Sequence, residues 1–292
     1  MERLESCFFK SGLRNGKDMK TIIVLMTCFN RCEKTKRCIE SLSRENKHPY
    51  NLEFVIVDDG SSDGTEEMLF FYSKKYIIHV IRGDGNLYYT GGMRKGMEYI
   101  LASQQEFDYL LMVNDDVEFF EGFLDEMVEK SRKKSHAVIV GAIHNEIGEL
   151  NYGAVKFRTK KSLKYRKLEL HEQDVEADTF NGNCVLIPKE IFVKIGPMDE
   201  AYTHNWGEFD YGMMIVRAGY EIYTSGDYVG KCDDNLETYL DKKKTILQRL
   251  KDKESPKGAP FKQWFHYLHK NYGIAIAVLR CWTPYIKLLF GK

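Results

Sequence analysis

Leu110-Leu111-Met112-Val113-Asn114-Asp115-Asp116-Val117 is an apolar run that ends in two adjacent carboxylates. A short apolar run closed by turn chemistry reads as a buried strand, and this one delivers its acids to the strand's end. Hard oxygen ligands so placed suit Mg2+ or Mn2+, and such an ion bridges two phosphates of a nucleotide. A strand end followed by a polar turn would use the same residue types. A second segment of the same design stands upstream, where Phe54-Val55-Ile56-Val57 runs into Asp58-Asp59-Gly60-Ser61-Ser62-Asp63-Gly64.

Outward from these two segments, strands are predicted at 21–26, 52–57, 77–82 and 109–113, and helices at 31–44, from 63–65 to about 72, and at 92–103. This alternation predicts an α/β fold with a parallel sheet and helices on both faces. Ligands bind beyond the carboxyl ends of strands in such sheets, where both acid pairs lie. The second half reads as a strand at 137–143, a basic extended or looped region at 152–170, a strand at 184–187 closed by Pro188, and a short helix at 189–195. A helix at 209–218, ended by Gly219, and a strand at 220–223 follow, then a linker at 255–260.

A chain of 292 residues with 43% hydrophobic residues can bury one sizeable core. The reading is one catalytic domain over 1–254, with a nucleotide-binding half at about 20–120 and an acceptor-binding half at about 121–254, and a helical extension at 255–292. Lys plus Arg equals Asp plus Glu at 43 each, so no global field draws the chain to nucleic acid. Past Glu254 there is no acid, while Lys257, Lys262, Lys270, Arg280, Lys287 and Lys292 are interleaved with aromatics. That amphipathic pattern suits the headgroup region of an anionic bilayer. Helices packing on the core, or forming a homodimer interface, would use the same residues. The seven cysteines lack paired zinc-site spacing, so reduced thiols are expected. MERLESCFFKSGLRNGKDMK carries no secretory apolar core, and the run at 273–279 falls far short of a bilayer span. The expected location is cytoplasmic, peripheral on the inner face of the cell membrane.

VIVDDGSSDGT, LLMVNDDVEF and IGPMDEAYTHNWGEFDYGMMIVRAGY occur in the order and approximate spacing that resembles family 2 glycosyltransferases of GT-A fold, in particular bacterial rhamnosyltransferase-type members that build surface polysaccharides. The resemblance covers residues 21–230 and leaves the tail aside. It implies a Rossmann-like nucleotide-binding sheet and an inverting, metal-dependent enzyme. The donor would be a UDP- or dTDP-sugar, and the acceptor a hydroxyl of a glycan or polyprenyl-diphosphate-linked glycan. The matching positions put Thr27, Asn30, Arg31 and Asp58 at the base and ribose, and Asn86, Gly92 and Arg94 in the glycine-containing segment beside the nucleotide. A helix starting near Gly92 would aim N–H groups at negative charge. The family's acid motif becomes Asn114-Asp115-Asp116, with Asp116 as ligand of Mn2+ or Mg2+ and Asp115 touching ribose or donor sugar. Counting back from Gly219-Tyr220 makes Glu208 the catalytic base, with Asp210 the acid that follows; a helix-capping Glu208 is the plain alternative. Asn181, Asp199 and Trp206 fall beside the acceptor, and Trp206 would stack on a sugar face or sit in the core. Where the family often has a metal-binding histidine, this chain has Val229-Gly230-Lys231-Cys232, so water is expected to complete the ion's shell.

Two other readings use some of these features. A nucleotidyltransferase would need a basic glycine-rich loop after the first strand, and Thr27-Cys28-Phe29-Asn30-Arg31 is not one. A non-catalytic sugar-nucleotide-binding or scaffold subunit would not need the acids at 116 and 208.

Overall fold

The computed structural model describes residues 19–46, 50–159, 162–233 and 244–290. The N-terminal segment and Lys292, read above, lie outside them. The first half runs β1 (Lys20–Cys28), α1 (Cys32–Ser43), β2 (Tyr50–Asp58), α2 (Thr65–Ser73), β3 (Ile77–Arg82), α3 (Tyr88–Ala102) and β4 (Tyr109–Val113). Next come β5 (Glu118–Phe119), α4 (Phe123–Lys133), β6 (Val138–His144), β7 (Leu150–Tyr152), β8 (Ala154–Phe157), β9 (Tyr165–Lys167), β10 (Thr179–Phe180) and β11 (Cys184–Pro188). The chain closes with α5 (Lys189–Ile195), α6 (Gly207–Arg217), β12 (Ile222–Lys231), α7 (Ile246–Glu254), α8 (Phe261–Tyr272), α9 (Ile274–Arg280) and α10 (Thr283–Phe290).

The main sheet has the order β3-β2-β1-β4-β11-β6-β12-β5, with β7 beside β6. Strands β3, β2, β1 and β4 are parallel, as expected. The sheet as a whole is mixed, because β11 runs antiparallel to both β4 and β6. The alternation that predicts parallel strands in the first half does not extend to β11: β4 and β11 are both fully buried five-residue runs, and burial does not encode strand direction. The region at 152–170 is likewise no plain loop. It contributes β8 and β9 to a small sheet ordered β10-β8-β9. Strands this short give too few alternations to read.

Two apolar layers sandwich the main sheet. One includes Val24, Ile39, Phe54 and Leu111, the other Leu25, Val57, Met97 and Met112. Successive residues of β1 thus serve opposite faces, as the pleat requires. A third cluster joins Tyr202 and Phe209 to Trp264, Tyr267 and Leu268 of α8. The first helix of the extension is therefore packed on the segment that leads into α6. Cys28, Cys32, Cys38, Cys184, Cys232 and Cys281 are all free thiols.

Candidate active site

The carboxyl ends of β1, β2 and β4 lie side by side, with Cys28 paired to Asp58 and Leu25 to Met112. Thr27 closes β1, its hydroxyl donating to the Val57 carbonyl at 3.2 Å. Asn30 adopts a left-handed φ of 51°, a conformation asparagine tolerates. Its amide oxygen accepts from Ser62 N at 2.8 Å and its N–H donates to Ser61 Oγ at 2.9 Å. Asp58 is buried and accepts from Ser61 N at 3.0 Å. These bonds staple the loop after β1 to the loop after β2 and leave Arg31 on a fixed base.

Arg31 reaches across to β4. One guanidinium nitrogen, Nη1, lies 2.9 Å from Asp115 Oδ1 and 2.9 Å from Asp116 Oδ2. Asp115 also accepts from Thr35 Oγ1 at 3.2 Å. Burial raises the Asp115 carboxyl to about 6 although Arg31 pulls it down. The Asp116 side chain is only 4% exposed, yet its Oδ1 is buried with no hydrogen-bond partner. Asn114 Oδ1 and Asn183 Nδ2 beside it are orphaned in the same way. Buried polar atoms are nearly always paired, so three orphans at one strand end mark a place where something polar binds. Among the described residues no group of three or more His, Cys, Asp or Glu side chains could hold a metal ion. The residues present thus fit a cation held by the Asp116 carboxylate, with the Cys232 thiol beside it, and with other ligands coming from a nucleotide and water.

Asp59, read as half of a second ligand-binding acid pair, has a different use. Its carboxylate accepts from the N–H groups of Gly85, Leu87 and Tyr88, each at 3.0 Å, and so folds the loop ahead of α3. In consequence α3 begins at Tyr88 and not near Gly92. Gly92 sits inside the helix, and its N–H is not at a free terminus. It is glycine because a Cβ there would come 2.3 Å from Thr27 Oγ1, so its smallness lets α3 lie on β1. Asn86 is exposed, donating to the Asp84 carbonyl at 3.4 Å. Arg94 turns to the loop before α6, at 3.2 Å from the Tyr202 carbonyl.

That loop brings the base candidate. Glu208 lies in the first turn of α6 but does not cap it; its Oε2 accepts from Gly182 N at 2.9 Å and its Oε1 from Asn181 Nδ2 at 3.4 Å. Gly182 must be glycine here, since a Cβ would meet Tyr89 Oη at 2.2 Å and Glu208 Oε2 at 2.9 Å. The next residue, Asn183, accepts Asn114 N–H at its carbonyl at 3.2 Å. Glu208 is therefore joined through Gly182-Asn183 to the residue that precedes the acid pair. Burial pushes its carboxyl above the usual range, against the two N–H donors that hold it down. Tyr89 donates to the Gly182 carbonyl at 3.1 Å, and His204 packs edge-on to Tyr88 and Tyr89. Burial, with Lys257 and Arg31 nearby, lowers His204 to about 4, leaving it neutral at physiological pH.

A family model for glycosyl transferase family 2 matches residues 23–196, which take in β1 through α5 and the whole acid-bearing edge. The chain belongs to glycosyl transferase family 2. Among its relatives, the low-salt glycan biosynthesis hexosyltransferase Agl10 of Haloferax volcanii is 24% identical over 177 residues, 58% of this chain and 55% of that protein. The succinoglycan biosynthesis protein ExoA of Rhizobium meliloti is 22% identical over 202 residues, 69% of this chain and 59% of that one. The chain thus spans little more than half the length of these two curated relatives. Among solved structures, GalNAc-T7 with UDP, GalNAc and Mn2+ superposes with a TM-score of 0.58 at 16% identity, over 75% of this chain and 44% of that one. Mannosyltransferase PcManGT from Pyrobaculum calidifontis, in complex with GDP-Man and Mn2+, gives 0.55 at 12%, over 93% and 74%. The shared architecture is the GT-A fold, as the sequence motifs implied.

The remaining site candidates sit against α8. Asp199 Oδ2 lies 3.0 Å from His266 Nε2 and 2.7 Å from Lys270 Nζ, and its Oδ1 accepts from Ala201 N. Asp210, 1% exposed, lies 2.6 Å from the same Lys270 Nζ and accepts from Asn271 Nδ2 at 2.8 Å. Trp206, at a left-handed φ of 71°, packs 4.6 Å from Trp264 and 5.1 Å from Tyr267. Lys270, His266 and Asn271 were missed by sequence reasoning, which assigned their helix to the tail. Their partners lie about sixty or more residues away, so no local pattern carried them.

Proposed function

We propose that this chain is an inverting glycosyltransferase that moves a sugar from a UDP- or dTDP-sugar to a hydroxyl of a glycan or polyprenyl-diphosphate-linked acceptor in surface polysaccharide synthesis. The observation that carries the reading is the contact path from the Glu208 carboxylate through Gly182-Asn183 to Asn114, two residues before Asp116 with its orphaned oxygen. It supports a base and a metal-binding carboxylate near one strand edge, as displacement of a diphosphate by a hydroxyl requires.

In this reading Thr27, Asn30 and Asp58 line the nucleotide's end of the cleft, and Asp58 offers a carboxylate to the imide N–H of uracil or thymine. Asp116 holds Mn2+ or Mg2+. Such an ion, when bound, neutralises the charge that grows on the departing diphosphate. Glu208 takes the proton from the acceptor hydroxyl, and its raised proton affinity brings it nearer the working pH. Asn181 and Tyr89 border it on the acceptor side. UDP, GalNAc and Mn2+ in one solved structure of like fold, and GDP-Man and Mn2+ in the other, support a nucleotide-linked donor.

The extension supports a peripheral membrane contact. Among the described residues no helix is long and apolar enough to cross a membrane. On α9, α10 and the turn between them, however, Ile274, Val278, Leu279, Trp282, Ile286 and Leu289 are each more than half exposed. Arg280 and Lys287 accompany them, and no acid does. An acid-free apolar face with cations suits the inner, anionic leaflet.

Glu208→Gln tests the catalytic reading, because it keeps the shape and removes the base. Transfer should fall at least ~100-fold while UDP still raises the melting temperature. Unimpaired transfer would move the base elsewhere. A native chain that binds nucleotide sugar but neither transfers nor hydrolyses it would favour the scaffold reading.

A further inference from the structure

The acid pair is not bare in this fold: a single guanidinium nitrogen of Arg31 sits at 2.9 Å from a carboxylate oxygen of each acid. We propose that Arg31 is a built-in cation that occupies the acid pair until a divalent ion and a nucleoside diphosphate together replace it, so that ion and nucleotide bind as a coupled pair. The inference rests on the metal reading of Asp116 given above and adds the group that the ion must displace.

Three features single out Arg31 as the part that moves. Its side chain is 39% exposed, while those of Asp115 and Asp116 are 6% and 4% exposed, so the acids are fixed and the cation reaches in from the solvent side. Its backbone is anchored by the Asn30 staple to Ser61 and Ser62, which leaves the side chain as the free element. The two acids also differ in what they keep. Asp115 retains Thr35 Oγ1 when Arg31 departs, whereas Asp116 is left with an orphaned Oδ1 and the weak thiol donor of Cys232 beside it. Withdrawal of Arg31 therefore opens Asp116 and leaves Asp115 held.

Charge decides the coupling. A divalent ion arriving beside a guanidinium that stays in place meets a like charge at short range, in a partly buried setting where screening is weak. The ion alone must displace Arg31 with nothing to receive it. A diphosphate supplies that receiver, since guanidinium pairs strongly with phosphate oxygens, and it also ligates the ion. Coupling of this kind is reciprocal, so whatever nucleotide does for the ion the ion does for the nucleotide.

The test is Mn2+ binding to the full chain, read from loss of the free-ion EPR signal, without nucleotide and with saturating UDP. Without nucleotide, Arg31→Gln should bind Mn2+ at least about tenfold tighter than the native chain. Arg31→Lys, which keeps a cation, should stay close to native. With UDP the gap between native and Arg31→Gln should shrink or reverse. Native-like or weaker Mn2+ binding by a folded Arg31→Gln without nucleotide would overturn the proposal, as would tightening that survives in Arg31→Gln/Asp116→Asn. A native chain that binds no Mn2+ even with UDP would instead overturn the metal reading of Asp116, and this inference with it.

Discussion

Replacing Lys270 by Met removes one ammonium from between two acids of the segment that carries Glu208. Lys270 Nζ lies 2.7 Å from Asp199 and 2.6 Å from Asp210, with the lysine side chain 26% exposed and those of the acids 19% and 1%. Breaking a buried ion pair by removing one partner costs about 3–5 kcal/mol. Here Asp210 keeps Asn271 and Asp199 keeps His266 and Ala201 N–H, so the expected loss is nearer ~2 kcal/mol. A second route gives the same size. Burial pushes the Asp199 carboxyl up, but Lys270, Ala201 N–H and His266 outweigh it and bring the group from 3.8 to about 2. That difference corresponds to about 2 kcal/mol, with the Lys270 hydrogen bond the largest of the lowering causes. Because the folded state lowers this group, its stabilisation is complete above pH ~4 and is lost as pH falls toward 2. Urea unfolding followed by tryptophan fluorescence, with Trp206 and Trp264 at the junction, should show Lys270→Met less stable by ~2 kcal/mol at pH 7, or about 3 °C in melting temperature. The gap should narrow at pH 3. A loss below ~0.5 kcal/mol, within the range of ordinary surface changes, or a gap indifferent to pH, would show that Lys270 does not bind α8 to the catalytic segment.

Other outcomes follow from the same geometry. Since burial raises Glu208, the acid limb of kcat/KM should lie above the ordinary glutamate value of 4.5, and a limb at or below it would contradict the base assignment. Asp116→Asn should abolish the additional stabilisation that Mn2+ gives in the presence of UDP; an undiminished Mn2+ effect would put the ion elsewhere. Ile286→Ser/Leu289→Ser should cut cosedimentation with anionic liposomes severalfold without loss of melting temperature, as both side chains are exposed. Unchanged sedimentation would remove α10 from the membrane reading.

The parallel half of the sheet was legible because its signals are local. Strands β1, β2 and β4 are continuous apolar runs ending in polar turns, and their parallel direction follows from alternation with helices. The end of α6 could be read from Gly219, a glycine at φ 88°, and counting back from it singled out Glu208 as the base candidate. What stayed hidden is long-range. Asp59 resembles a ligand until its three N–H donors, all beyond residue 84, are brought to it by the fold. The start of α3 moved for the same reason, since Tyr88 takes a left-handed φ of 53° that only the Asp59 bonds explain. Trp206 was read as sugar-facing or core, and the partners that pack on it come from α8.

The acids of this site sort by what neutralises them, and the sorting bears on which one works as a base. Asp115 and Asp116 share Arg31. Asp199 and Asp210 share Lys270. Asp59 is saturated by backbone N–H groups. Asp199, beside the fixed Lys270, is held low and is a weak base, because the cation stabilises the deprotonated form. Glu208 is held only by neutral amide donors, and among the described residues no ion pair reaches it. Enclosure then acts unopposed by any positive charge and raises its affinity for a proton. Of Asp199, Glu208 and Asp210, only Glu208 combines a contact path to the Asn114-Asp116 edge with freedom from a cation. Placing a lysine or arginine within reach of it, for example by Asn181→Lys, should therefore slow transfer by lowering its basicity even if the fold is kept. Full activity in that variant, with the new cation shown to contact Glu208, would mean that proton removal is carried by another group.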